Sequence, residues 1–132
     1  MMRANNLIAF GGALAGVGVA LGAFASHGLK KILSPYLLEV FSIGVQYQFI
    51  HATAIILCGG LLLLNLGEKA QKYFFIAAIC FIIGIFCFSG SLYALALTGV
   101  KWFGPITPLG GFTFMLGWGL FVFAALQIKR GE

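Results

Sequence analysis

The sequence predicts an all-α, polytopic membrane protein: an antiparallel four-helix transmembrane bundle with a short interfacial segment between the first two spans. Three observations predict it. Of the 132 residues, 61% are hydrophobic and only 8% are charged, whereas a soluble domain carries roughly a quarter charged residues. The apolar residues fall into four runs, each near the ~20 residues that cross a bilayer. Between the runs lie short polar connections that hold most of the charge, so the chain forms one four-span domain over 1–132 with no soluble domain beside it.

The first run spans about 7–25, behind Arg3. A signal peptide is the alternative, with a small-x-small site at Ala23-Phe24-Ala25. The run is longer than a usual signal core, and its Gly12-xxx-Gly16-xxx-Ala20 and Gly18-xxx-Gly22 spacings suit close helix packing in lipid. A retained span is therefore expected. Ser26 to Leu33 follows as an interfacial hook, with Lys30 and Lys31 in the headgroup layer.

Ser34-Pro35 supplies an N-cap and a first-turn proline, so the second span is expected over 35–64. At helical rise that is roughly 45 Å, more than the ~30 Å hydrocarbon layer, so its first turns with Tyr36 and Glu39 project into the headgroups or the helix tilts. The third span, about 73–97, carries Phe88-Ser89-Gly90-Ser91-Leu92-Tyr93. Lys101 and Trp102 anchor the next turn. Thr107-Pro108 repeats the cap-then-proline signature and opens a fourth span over 108–128, with Gly110, Gly111, Gly117 and Gly119 as a packing face.

Four spans put both termini on one side, with Arg3, Lys69, Lys72, Lys129 and Arg130; the other side has Lys30, Lys31 and Lys101. The positive-inside rule places both termini in the cytoplasm of a plasma or inner membrane. The net charge of +5 is scattered over span ends and forms no basic stripe, so nucleic acid is excluded as a partner.

The stretch most costly to place in lipid is Val45 to His51, inside an uncharged run from Val40 to Gly67. On a helix, Gly44, Tyr47, Gln48 and His51 share a face about 100° wide. Antiparallel alignment brings Ser89 and Tyr93 of the third span to that depth, with Thr113 as a further member from the fourth. Tyr47, Gln48, His51, Ser89 and Tyr93 are thus the candidate intramembrane polar or ligand site. Two readings stay open: structural glue between helices, or a ligand pocket or ion path.

Nothing else points to chemistry. Aspartate is absent, and the three glutamates lie at span ends or the C-terminus. No serine-hydrolase or zinc-protease motif occurs, so no enzyme activity and no catalytic residue is expected. Cys58, Cys80 and Cys87 match no metal or redox spacing and read as packing residues. His27 and His51 stand roughly 24 Å apart in height, too far to share a haem; His27 reads as a cap on the C-terminus of the first helix. No metal and no cofactor is expected.

Gly22-Ala23-Phe24-x-x-His27-Gly28-Leu29, Tyr47-Gln48-x-x-His51, Phe88-Ser89-Gly90-Ser91-Leu92-Tyr93, Thr107-Pro108-x-Gly110-Gly111 and Gly117-Trp118 run through all four spans in order. Together they resemble the YgdD-type family of small bacterial membrane proteins, itself related to a small eukaryotic transmembrane protein. Ala25-Ser26 stands where that family usually has Gly-Ala, a small-for-small change. The resemblance implies a four-span inner-membrane protein with a retained first helix and of unknown function. It draws attention to His27, Ser91, Thr107 and Pro108 without giving them a role. The expected function is a non-enzymatic helix-packing or complex-associated module in the lipid bilayer, self-associating as a homo-oligomer or joining a larger membrane complex. The alternative is a small pore, transporter or lipid/quinone-binding protein built on Tyr47, Gln48 and His51.

Overall fold

The computed structural model describes residues 3–129, which are helical and free of strands apart from short connections. Arg130, counted above among the terminal-side charges, lies outside the described residues. Among the described residues, four helical segments are long and apolar enough to cross a membrane. The first is α1, Ala4–His27, and the second is α2, Pro35–Leu62. The third is built from α3, Glu68–Gly84, and α4, Gly90–Thr98, joined by a π-helical turn over Ile85–Ser89. The fourth is α5, Ile106–Leu126.

The caps follow the local chemistry. Ser34 Oγ accepts from the Leu37 amide, and Pro35 fills the first position of α2. Past the other end of α2 the Gln71 side-chain amide donates to the Leu64 carbonyl over 2.7 Å and lies 3.5 Å from that of Leu62, which the helix leaves open. Gly99 ends α4 in the left-handed region, φ 71°, with its amide on the Leu95 carbonyl.

The fourth helix starts earlier than the sequence suggests. Pro105 occupies the N-cap position and Ile106 begins the helix, so Thr107 and Pro108 lie inside the first turn and Thr107 is no cap. A proline is tolerated there because first-turn amides have no intrahelical partner.

The second and third spans form the centre. They are the more deeply buried pair, and the first and fourth lie outside them. α1 packs along α2 by small residues. A Cβ on Gly11 would stand 2.9 Å from the Ala52 carbonyl oxygen, and one on Gly59 2.7 Å from the Ile8 side chain. Gly18 and Gly22 continue this seam, against Gln48 and Val45. Gly12 and Gly16 face outward with open space beyond them. α5 packs along the third span in the same manner: Gly110 lies against the Phe88 backbone and Gly117 against Phe81 and Cys80, while Phe114 seats in the space left by Gly84. Gly119 is open.

The main core joins Leu7, Ile55, Cys58, Ala78, Phe81, Ile85 and Phe114. A second cluster, at the end away from the termini, holds Leu29 of the interfacial hook with Phe41 and Leu92, while Lys30 and Lys31 stay exposed. The outer surface is apolar, with Val19, Phe49, Ile50, Phe86, Phe112 and Met115 exposed, which suits contact with acyl chains. Cys58 and Cys80 are buried, Cys87 is half-buried, and all three are free thiols.

Candidate functional site

Gln48, His51, Ser89 and Ser91 are the buried polar side chains among the described residues. They do not form one layer. They form three separate sets of hydrogen bonds, each spent between helices.

The first set is centred on Gln48. Its Nε2 donates 2.8 Å to the Leu14 carbonyl of α1, and its Oε1 accepts 2.6 Å from the Tyr93 hydroxyl of α4. One amide thus ties three spans together. Gly18 of α1 lies beside this amide, where a Cβ would stand 3.6 Å from Nε2, in ordinary contact. Tyr93 is in turn held by Gly44, where a Cβ would fall 2.7 Å from the Tyr93 ring, and by Phe41, whose ring centroid is 4.8 Å away. Ser89 adds a parallel tie, donating 2.7 Å to the Gly44 carbonyl.

The second set is centred on His51. Nδ1 lies 2.8 Å from the Tyr47 carbonyl one turn back, so this nitrogen carries the proton. Nε2 accepts 3.0 Å from the indole N–H of Trp118 on α5. Both contacts require the same neutral tautomer. The imidazole stacks on Phe114 with centroids 3.6 Å apart and planes 9° apart, and Phe81 closes the side.

The third set was signalled only by motif. Ser91 Oγ donates to the Phe88 carbonyl at 2.9 Å and meets Thr107 Oγ1 at 2.6 Å, so Thr107 is the donor to Ser91. Ser91 and Thr107 therefore fasten the third span to the fourth.

The structure corrects two placements. Tyr47 is not in the hydrogen-bonded interior. Its ring packs on Phe88 and near Phe114, and it is 39% exposed at the outer surface. Thr113 spends its hydroxyl on the Leu109 carbonyl of its own helix and takes no part. It sits two turns from Tyr93, because Gly110 pairs with Phe88 and Gly117 with Phe81. The 3-10 turn at Lys101–Phe103 and the residues around it carry the chain back beside α4 before α5 begins. His27 closes α1 as its last residue, exposed, where a basic side chain suits the helix dipole. Pro108 is exposed and makes the first turn of α5.

Trp118 and Phe114 are the members of the site that sequence reasoning missed. Trp118 was visible as part of Gly117-Trp118; the apolar α5 pattern gave no sign that its indole would meet His51. Among the described residues no group of three or more His, Cys, Asp or Glu could hold a metal ion.

Residues 21–111 match the family described as a protein of unknown function, DUF423. The chain is 35% identical over 112 residues to the UPF0382 inner membrane protein YgdD of Escherichia coli (strain K12), covering 85% of this chain and 82% of that protein. It is 38% identical over 112 residues to a UPF0382 membrane protein of Staphylococcus epidermidis (strain ATCC 12228), covering 83% and 85%. A UPF0382 membrane protein of Haemophilus influenzae is 37% identical over 111 residues, 84% and 86% covered. No solved structure matches the chain.

Proposed function

The chain belongs to the DUF423 family of proteins of unknown function, and on that footing we propose that it is a non-enzymatic inner-membrane module whose rigid centre presents its outer spans for association. The observation that carries this reading is the closure of the polar interior. Among the described residues no buried side-chain nitrogen or oxygen lacks a hydrogen-bond partner. Gln48, His51, Ser89 and Ser91 are committed to other spans or to backbone, as in membrane helix packing. A general acid, base or nucleophile needs a group free to meet a substrate.

The associating surface of this reading is the outer face of α1, where Gly12 and Gly16 stand open, and that of α5 at Gly119. The occupant is a second copy or a larger membrane complex. The relatives named as inner membrane proteins support the compartment, and the greater basic charge beside the termini supports a cytoplasmic position for both.

A second reading rests on one observation. Tyr47 and Trp118, 39% and 38% exposed, flank His51 at the outer surface and offer an aromatic edge to a quinone or lipid. One experiment separates the two. His51→Ala and Gln48→Ala are purified in mild detergent, then examined by thermal unfolding and by native mass spectrometry with retained small molecules. The module reading expects both variants to melt earlier and no bound small molecule to disappear. Unchanged melting together with loss of a copurifying quinone or lipid would replace it with the binding reading.

A further inference from the structure

A groove of about 640 Å³ opens between the start of α1 and the start of α3, at the end of the bundle that carries the termini. Its lining changes character with depth. Arg3, just ahead of α1, and Glu68 and Lys72, in the first turns of α3, stand at its mouth. Leu62 of α2 and Phe75 and Ile76 of α3 line the apolar remainder. Ile76 lies eight positions beyond Glu68, about 12 Å deeper at helical rise. The groove is therefore polar at headgroup height and apolar below it, the profile of an amphiphile standing in one leaflet.

The charges at the mouth give the occupant its sign. Two cations face one carboxylate, and Lys69 and Lys129 line the adjoining cleft, which shares Glu68 and Lys72. Arg3 and Lys72 are exposed. A basic recess between spans at a membrane surface suits the phosphate of an anionic lipid. Gln71 does not compete for it, because its amide nitrogen is held by the Leu64 carbonyl.

We propose that this groove is a binding site for an anionic glycerophospholipid, with its phosphate between Arg3 and Lys72 and an acyl chain along Phe75 and Ile76. The site is separate from the hydrogen-bonded centre and stands whether or not the module reading does.

The test is native mass spectrometry of the full chain, titrated with phosphatidylglycerol and phosphatidylcholine of identical acyl chains. Two cations give roughly tenfold tighter retention of the anionic lipid. The double variant Arg3→Ala/Lys72→Ala brings the two lipids to parity. Ile76→Trp, which fills the apolar part and leaves every charge in place, also weakens phosphatidylglycerol retention. Lys30→Ala/Lys31→Ala at the opposite end keeps the preference. Circular dichroism checks that each variant remains helical. Equal retention of both lipids by the wild type overturns the proposal, as does a preference that survives Arg3→Ala/Lys72→Ala. Displacement of the lipid by millimolar inorganic phosphate also overturns it, by making a free anion the ligand.

Discussion

The Tyr93 hydroxyl donates a 2.6 Å hydrogen bond to Oε1 of Gln48, 45 positions earlier in the chain. The same amide passes the connection on to the Leu14 carbonyl. Tyr93 and α1 are thus linked through one side chain of the intervening helix, and losing Gln48 releases both at once.

Gln48→Leu should lower stability by about 1–2 kcal/mol, since two interhelical hydrogen bonds in a membrane are lost together. Tyr93→Phe should cost about 0.6–1 kcal/mol by losing one. The double variant should cost less than the sum, with a coupling energy of at least ~0.5 kcal/mol. Reversible unfolding in mixed micelles measures all three, and strict additivity would show that the bond carries no weight.

Trp118→Phe removes the indole donor while keeping an aromatic ring against His51 and Phe81. It should cost about 0.6–1.7 kcal/mol. A spectroscopic check is available because Trp102 and Trp118 are the chain's two tryptophans. In a Trp102→Phe background, His51→Leu should shift Trp118 emission to shorter wavelength by freeing its N–H. An unchanged spectrum would contradict the hydrogen bond.

Gly110→Ala should be severe, because its new Cβ would fall 2.7 Å from the Phe88 Cα, and backbone cannot swing aside. A loss of about 1–3 kcal/mol or more is expected. Gly12→Ala, facing open space, should change the monomer by less than about 0.5 kcal/mol. Melting of the two variants side by side tests the assignment of inner and outer glycine faces.

Thr107→Val keeps the shape of the side chain and removes its hydroxyl from Ser91. Stability should fall by about 0.6–1.7 kcal/mol, and Thr107→Ser should restore most of it. Equal stability of the Val and Ser variants would mean that Thr107 acts by packing alone.

The four spans and the Ser34-Pro35 start were legible because length, apolarity and capping are local properties. So was the inward turn of Gln48, His51 and Ser89, since a polar group in hydrocarbon must find a partner. Their actual partners were not. The register of the fourth span depends on how much chain the Lys101–Phe103 turn consumes, and no local signal fixes that. The error moved Thr113 into the site and left Trp118 out. The glycine stripes were legible as packing surfaces, but only the neighbouring helix decides that Gly11, Gly18 and Gly22 face inward while Gly12 and Gly16 do not.

The π turn at Ile85–Ser89, where the Gly90 amide reaches back five residues to the Ile85 carbonyl, sets the phase of everything after it. It lets one continuous span show Phe81 and Gly84 to the fourth helix on one side of the turn and Tyr93 to the second helix on the other. Winding the same five residues as ordinary α-helix would swing the distal segment by about 100°, one residue's worth of turn. The phenol would then leave its amide while every residue type in the span stayed the same. In this chain, how five positions wind is as binding a specification as which residues fill them.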